Sequence, residues 1–273
     1  MKQFRPVSAG CAVNLNKKGC YAMWIQTAEQ YFLWLMFYSI VGWIYESLLC
    51  SASAHRWINR GFLNGPYCPI YGFGAVLDIL LLGRIQNPLL LFCLGAVVTC
   101  SLEYLTSYLM ELLFHARWWD YSERKFNING RVCLIGAVVF GAFSVVLILG
   151  IHPFVVHYTD LLPPLALHLS AAILLVLIAA DAGITIGGFS GFNKRLEELS
   201  AILEQAGEEM ADKLRTTHAY NALNAAYDSF EKKMNLQQRR MLTAFPRLKS
   251  TSHNHMLAEL KNRLASRKNT ARK

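Results

Sequence analysis

The chain has 273 residues, 54% of them apolar and 16% charged, against roughly 25% charged in an average soluble domain. With a mean hydropathy of +0.27, it does not read as a soluble globule throughout. Charge is also unevenly placed: residues 1–189 hold 11 Lys and Arg against 9 Asp and Glu, whereas residues 190–273 hold 16 against 9. An apolar body with a basic end reads as an all-α polytopic transmembrane helical bundle followed by a helical tail.

In chain order, this reading divides the sequence into an N-terminal segment (1–29), a transmembrane domain (30–188) and a basic cytoplasmic helical tail (189–273). Lys18-Gly19 can be encoded by a purine-rich run at a ribosome-binding distance before Met23. The expectation is therefore that translation starts at Met23 and that residues 1–22 are upstream message.

A membrane-crossing helix needs about 20 mostly apolar residues. Five stretches qualify or nearly do: Tyr31–Ser51, Pro66–Gly83, Pro88–Phe114, Val132–Ile151 and Leu162–Ile184. The second is short and interrupted by Pro66, Pro69, Gly72 and Gly74, which predicts a tilted, partly unwound or re-entrant segment. Lys and Arg cluster in alternate short connections: Arg56 and Arg60 in one, Arg117, Arg124, Lys125 and Arg131 in another. The excess of basic residues on the inner side of membranes then puts these loops and the tail in the cytoplasm.

An acid inside a span costs about 2.5–3.5 kcal/mol at its centre and is a functional candidate by default. The apolar stretches contain Glu46, Asp78, Glu103, Glu111 and Asp181. The first cytoplasmic connection, Trp57 to Gly74, is dense in Gly and Pro beside Arg60. That composition predicts a shaped turn whose exposed N–H groups either bind an anion or accommodate a tight bend. In the second, Trp118, Trp119 and Tyr121 suit the headgroup layer, but Asp120, Asn127, Asn129 and Arg131 call for another reason. These loops share a membrane face with Glu46 and Glu111, so Arg60 and Arg131 are the natural partners of Glu46 and Glu103. The candidate substrate-binding set is Glu46, Arg60, Asn64, Glu103, Asp120, Asn127 and Arg131.

Four ordered motifs carry a resemblance: Gly42-Trp43 with Glu46, Asn59 to Gly72, Glu103-Tyr104-Leu105-Thr106-Ser107, and Trp119-Asp120-Tyr121 with Phe126 to Gly130. Over about residues 30–185 the chain resembles the bacterial membrane family described as "putative ABC-transporter type IV". The resemblance implies a permease-like transport component. No GxxxxGK[ST] phosphate loop occurs in the sequence, so an ATPase would be a separate subunit. Two alternatives stay open. One is a membrane-embedded enzyme in which Arg60 or Arg131 binds a phosphorylated headgroup and Glu46, Glu103 or Asp120 acts as base. The other is a scaffold that recruits partners through its tail.

In the tail, Leu196, Leu199, Leu203, Ala206 and Met210 form one apolar stripe and Leu223, Tyr227, Phe230 and Met234 another, which predicts an antiparallel helical pair. The basic segment beyond Pro246 suits anionic lipid. Neither a nucleic-acid-binding motif nor a cofactor or metal motif is found, the lone His253-x-His255 having no cysteine or carboxylate cluster beside it.

Overall fold

The computed structural model describes residues 17–189, 191–211, 216–251 and 254–270. The N-terminal residues up to 16 and His253 lie outside these. The described chain forms two compact units, residues 1–104 with 124–182, and residues 105–123 with 183–273.

The first unit is helical. Helix α1 (Lys17–Ala54) leads through a loop to α2 (Pro69–Leu82), and α3 (Pro88–Phe114) follows and ends in the second unit. A short hairpin of β2 (Asn127–Ile128) and β3 (Val132–Cys133) precedes α4 (Leu134–Val145), a π-helical stretch (Val146–Ile151) and α5 (His152–Asp160). Helix α6 (Pro164–Phe189) again runs into the second unit. Among the described residues, four helical segments are long and apolar enough to cross a membrane: Met23–Ala52, Pro88–Phe114, Leu134–Asp160 and Pro164–Ile202. Side chains such as Leu89, Val97 and Leu165 stand exposed on them, where lipid rather than water suits them.

The Gly- and Pro-rich second stretch is a regular helix of 14 residues, about 21 Å long at 1.5 Å per residue. That is shorter than the hydrocarbon core of about 30 Å. Its glycines do not unwind it. One glycine on each helix lets α2 press against α1: a Cβ on Gly72 of α2 would lie 2.2 Å from the carbonyl oxygen of Leu35, and one on Gly42 of α1 2.2 Å from the Tyr71 ring. Small residues at such crossings are how membrane helices approach closely. Pro69 occupies the first turn, where no backbone donor is needed. Trp34, Tyr38, Ala75, Ile79, Leu82, Leu91, Leu147 and Ile148 form the buried core of this unit.

The second unit joins the end of α3 and the strand β1 (Ala116–Arg117) to α7 (Phe192–Ala211), α8 (Thr216–Lys233), α9 (Leu236–Ala244), β4 (Lys249–Ser250) and α10 (Asn254–Thr270). Strands β1 and β4 pair antiparallel. Trp118, 2% exposed, packs edge-on against Phe245 and beside Phe189, with centroids 5.0 and 5.1 Å away. Segment 105–123 thus shares its core with residues drawn from the tail. Helices α7 and α8 pack on each other, and Arg195 at the start of one donates to the Lys233 carbonyl at the end of the other at 2.8 Å. Of the two predicted stripes, Leu196, Leu199, Tyr227, Phe230 and Met234 are buried. The side chains of Leu203, Ala206, Met210 and Leu223 lie outside the described residues.

Candidate functional site

The loop after α1 owes its shape to a chain of side-chain bonds. Ser51 and Ser47, a turn apart on α1, accept from the backbone N–H groups of Ile58 at 2.9 Å and Arg60 at 3.3 Å. Trp43 donates to Asn59 Oδ1 at 2.7 Å, and that oxygen also accepts from the Gly61 N–H at 3.1 Å. Asn59 Nδ2 in turn donates to the Asn64 carbonyl at 2.9 Å. The loop is thus folded back onto α1 and holds Arg60 beside Glu46.

Glu46 is the centre of a three-residue cluster. Its Oε2 lies 3.7 Å from Arg60 Nε, and Tyr71 donates its hydroxyl to Oε1 at 2.6 Å. The side chains of Arg60 and Glu46 are 19% and 28% exposed, so the pair keeps contact with its surroundings. A phenol and a guanidinium on one carboxylate make a polar cluster able to receive an anionic or hydroxylated group. Tyr71 was absent from the candidate set. Its place in the Gly-Pro motif, two residues after Pro69, was the available signal.

The exposed N–H groups expected of this loop are present, and an acid of the same chain occupies them. Asp181 Oδ1 accepts from the Asn64 backbone at 3.0 Å and from Asn64 Nδ2 at 2.9 Å. Its Oδ2 accepts from the Gly65 N–H at 2.8 Å and the Tyr67 hydroxyl at 2.6 Å. Four donors on one carboxylate fasten the loop to α6. Asn64 therefore serves this clasp, and the Asn-Gly-Pro sequence doubles as an anion-binding turn.

The remaining candidates fall into two groups. Glu103, 6% exposed, points at the start of α4, where a Cβ on Gly136 would sit 3.9 Å from its Oε2 and 3.7 Å from Cys133 Sγ. Next to it on α3, Tyr104 receives the Arg131 guanidinium over its ring at 5.6 Å and a hydrogen bond from Asn129 Nδ2 at 3.0 Å. Asn127 is used in building the hairpin: its Nδ2 donates to the Arg124 carbonyl at 2.7 Å and its Oδ1 accepts from Gly130 N–H at 2.9 Å. Asn129 and Gly130 both have positive φ, 53° and 67°, the turn chemistry that Asn-Gly favours in hairpins. That dipeptide was a legible signal for the hairpin.

Asp120 belongs to the second unit. It accepts from Lys249 and, at 3.0 and 2.6 Å, from the backbone and hydroxyl of Ser122. Arg117 lies 3.8 Å from it and bonds Glu111 at 3.2 Å. Burial opposes its charge, but the bonds from Lys249 and Ser122 outweigh this and lower its pKa to about 2. No group of three or more His, Cys, Asp and Glu placed to hold a metal ion occurs among the described residues.

Long apolar helices with ionisable groups at their ends define an all-α, polytopic membrane protein. The model of the family described as "putative ABC-transporter type IV" matches residues 33–186, more than half of the chain, and the chain belongs to that family. The matched segment contains every candidate site residue from Glu46 to Arg131, together with Tyr71 and Asp181. No curated protein and no solved structure matched the chain.

Proposed function

We propose that this chain is the membrane-embedded, permease-like component of a transport system, with a polar site open to the cytoplasm and built on Glu46, Arg60 and Tyr71. The observation that carries the reading is the Glu46 cluster: an ion pair and a phenol where α1 ends and α2 begins, within the family-matched segment. Glu103 and Arg131, on the hairpin side of the same unit, extend the site. The Lys and Arg distribution of the short loops supports a cytoplasmic orientation for these residues and for the tail, in the plasma membrane. A separate ATPase subunit supplies energy on this reading, and the basic segment after Pro246 rests on anionic lipid.

Affinity purification from native membranes, followed by proteomics and lipidomics, tests the assignment. Recovery of an ATP-hydrolysing subunit is the expected result. Recovery of a chemically altered lipid with no such subunit would replace the transport reading by an enzymatic one. Arg60→Ala should impair function more than Arg56→Ala, because Arg56 stands exposed whereas Arg60 faces Glu46. Equal, mild effects of the two changes on abundance and cellular phenotype would remove the case for this site. Glu46→Gln with Arg60→Gln separates structure from function. A folded but inactive double variant means that the charges serve the substrate.

A further inference from the structure

We propose that Asp78 is an intramembrane proton-binding site, its carboxyl held in the neutral form by Ser144 where α2, α3 and α4 meet. The residue lies outside the Glu46 cluster and serves no role in the transport reading given above. It is 1% exposed in the core of the first unit. Its only bonded partner among the described residues is Ser144, and its Oδ1 has none. No Lys or Arg among the described residues pairs with it. Helix α3 closes the site from the third side, since a Cβ on Gly95 would fall 2.3 Å from Ser144 Oγ.

Hydrogen counting favours the protonated form. Ser144 Oγ lies 2.5 Å from Asp78 Oδ2 and 3.0 Å from the carbonyl oxygen of Phe140. A hydroxyl has one hydrogen to donate. If Asp78 were ionised, both neighbours would be acceptors, and one of the two contacts would hold no hydrogen. With a proton on Oδ2, Asp78 donates to Ser144 and Ser144 donates to Phe140, so both contacts become hydrogen bonds. Desolvation acts in the same direction, because an unpaired carboxylate in an apolar interior takes up a proton rather than remain charged.

The core beside α2 also holds other titratable groups. Helix α1 contributes Tyr31 and Tyr38, and α5 contributes His152, whose Nδ1 is 3.1 Å from the Tyr38 hydroxyl and whose Nε2 has no partner among the described residues. The π-helical stretch, Val146 to Ile151, packs against α2 with apolar side chains alone and separates Ser144 from His152. π-Helical turns concentrate at functional sites, and here one lies in the chain between Ser144, the partner of Asp78, and the buried His152. Ionisable groups inside membrane proteins mark proton relays in pumps and transporters, and a proton is the ligand that this buried junction can take.

Infrared spectroscopy of the full chain in lipid nanodiscs reads the site directly. At neutral pH, exposed carboxyls with pKa near about 4 are ionised, so a protonated-acid carbonyl band should persist and disappear in Asp78→Asn. That variant preserves the shape and can donate to Ser144. Ser144→Ala should shift the band, because the acid proton loses its acceptor. Should Asp78→Asn fail to fold, carbon-13 labelling of aspartate carboxyls in the unaltered chain replaces it, and the band should move to lower frequency. An acid band unchanged in Asp78→Asn, no isotope shift, or no acid band at neutral pH would each overturn the proposal. None of these readouts involves transport, so failure here is distinct from failure of the permease reading.

Discussion

Asp181 shows how one side chain can set the conformation of a distant loop. Its carboxylate accepts from Asn64, Gly65 and Tyr67, residues more than 110 positions earlier. Asp181→Ala would leave four donors without their acceptor. Because hydrogen bonds to charged groups are worth about 1.5–3 kcal/mol each and are not additive, the expected loss is on the order of 3 kcal/mol. A lowered thermal midpoint in detergent, with the largest protection lost from residues 57–68 in hydrogen exchange, checks this. The Glu46–Arg60 pair is a contrasting case. A fully desolvated pair costs about 3–5 kcal/mol to break, but this one is partly exposed at 3.7 Å, so removal of Arg60 should cost only about 1 kcal/mol. Any large phenotype of Arg60→Ala therefore reports function rather than folding. Arg60 and Glu46 were legible as partners because one short loop joins them. Asp181 was legible only as an acid near a span end, since nothing local links it to Asn64.

At the scale of elements, the apolar runs located the long helices, and the second run, open to a tilted, partly unwound or re-entrant form, is a short regular helix. Proline and glycine density predicts irregularity when neighbours are unknown. In the folded chain the same glycines are contact points within a regular helix. The difference is testable position by position. Gly72→Ala places a Cβ against the backbone of Leu35 and should destabilise α1–α2 packing by about 1–3 kcal/mol or more. Gly74→Ala meets Leu102 Cδ2 at 3.6 Å and Thr99 Cγ2 at 3.9 Å, ordinary van der Waals contacts, and should be tolerated. Thermal unfolding of the two variants checks this, and equal stability would refute the close-packing account. Gly42 follows the same logic through the Tyr71 ring, so the packing of α1 on α2 also positions the phenol that bonds Glu46.

For the whole molecule, the break in composition near Gly187-Gly188 marks where the apolar body gives way to a polar, basic tail, yet the second unit is not the tail alone. Residues 105–123 supply Trp118, the β1 strand and Asp120 to it. The Asp120–Lys249 pair joins this segment to the tail, which gives the unit a defined pH response. The folded-state pKa of Asp120, about 2, lies below an ordinary Asp value of about 3.9. Its contribution to stability is therefore complete above about pH 4 and is lost as pH falls toward about 2. Asp120→Asn should flatten that part of the stability profile measured by circular dichroism, and an unchanged acid limb would refute the assignment. Lys249→Ala should act in the same direction.

Composition and apolar run length by themselves determined that the chain is an all-α, polytopic membrane protein with a basic end, because the cost of burying backbone and charge in lipid is read from residue type alone. Motif order along residues 30–185 determined the family resemblance, and loop proximity the Glu46–Arg60 pairing. Only the tertiary structure decided which donors surround Asp181, that Tyr71 completes the Glu46 cluster, that Asp78 faces a single serine, and that residues 105–123 pack with the tail. Each of these depends on which surfaces of separate helices meet. That is settled by contacts such as Gly72 on Leu35 and Gly95 on Ser144, whose partners lie too far apart in sequence for any local pattern to connect.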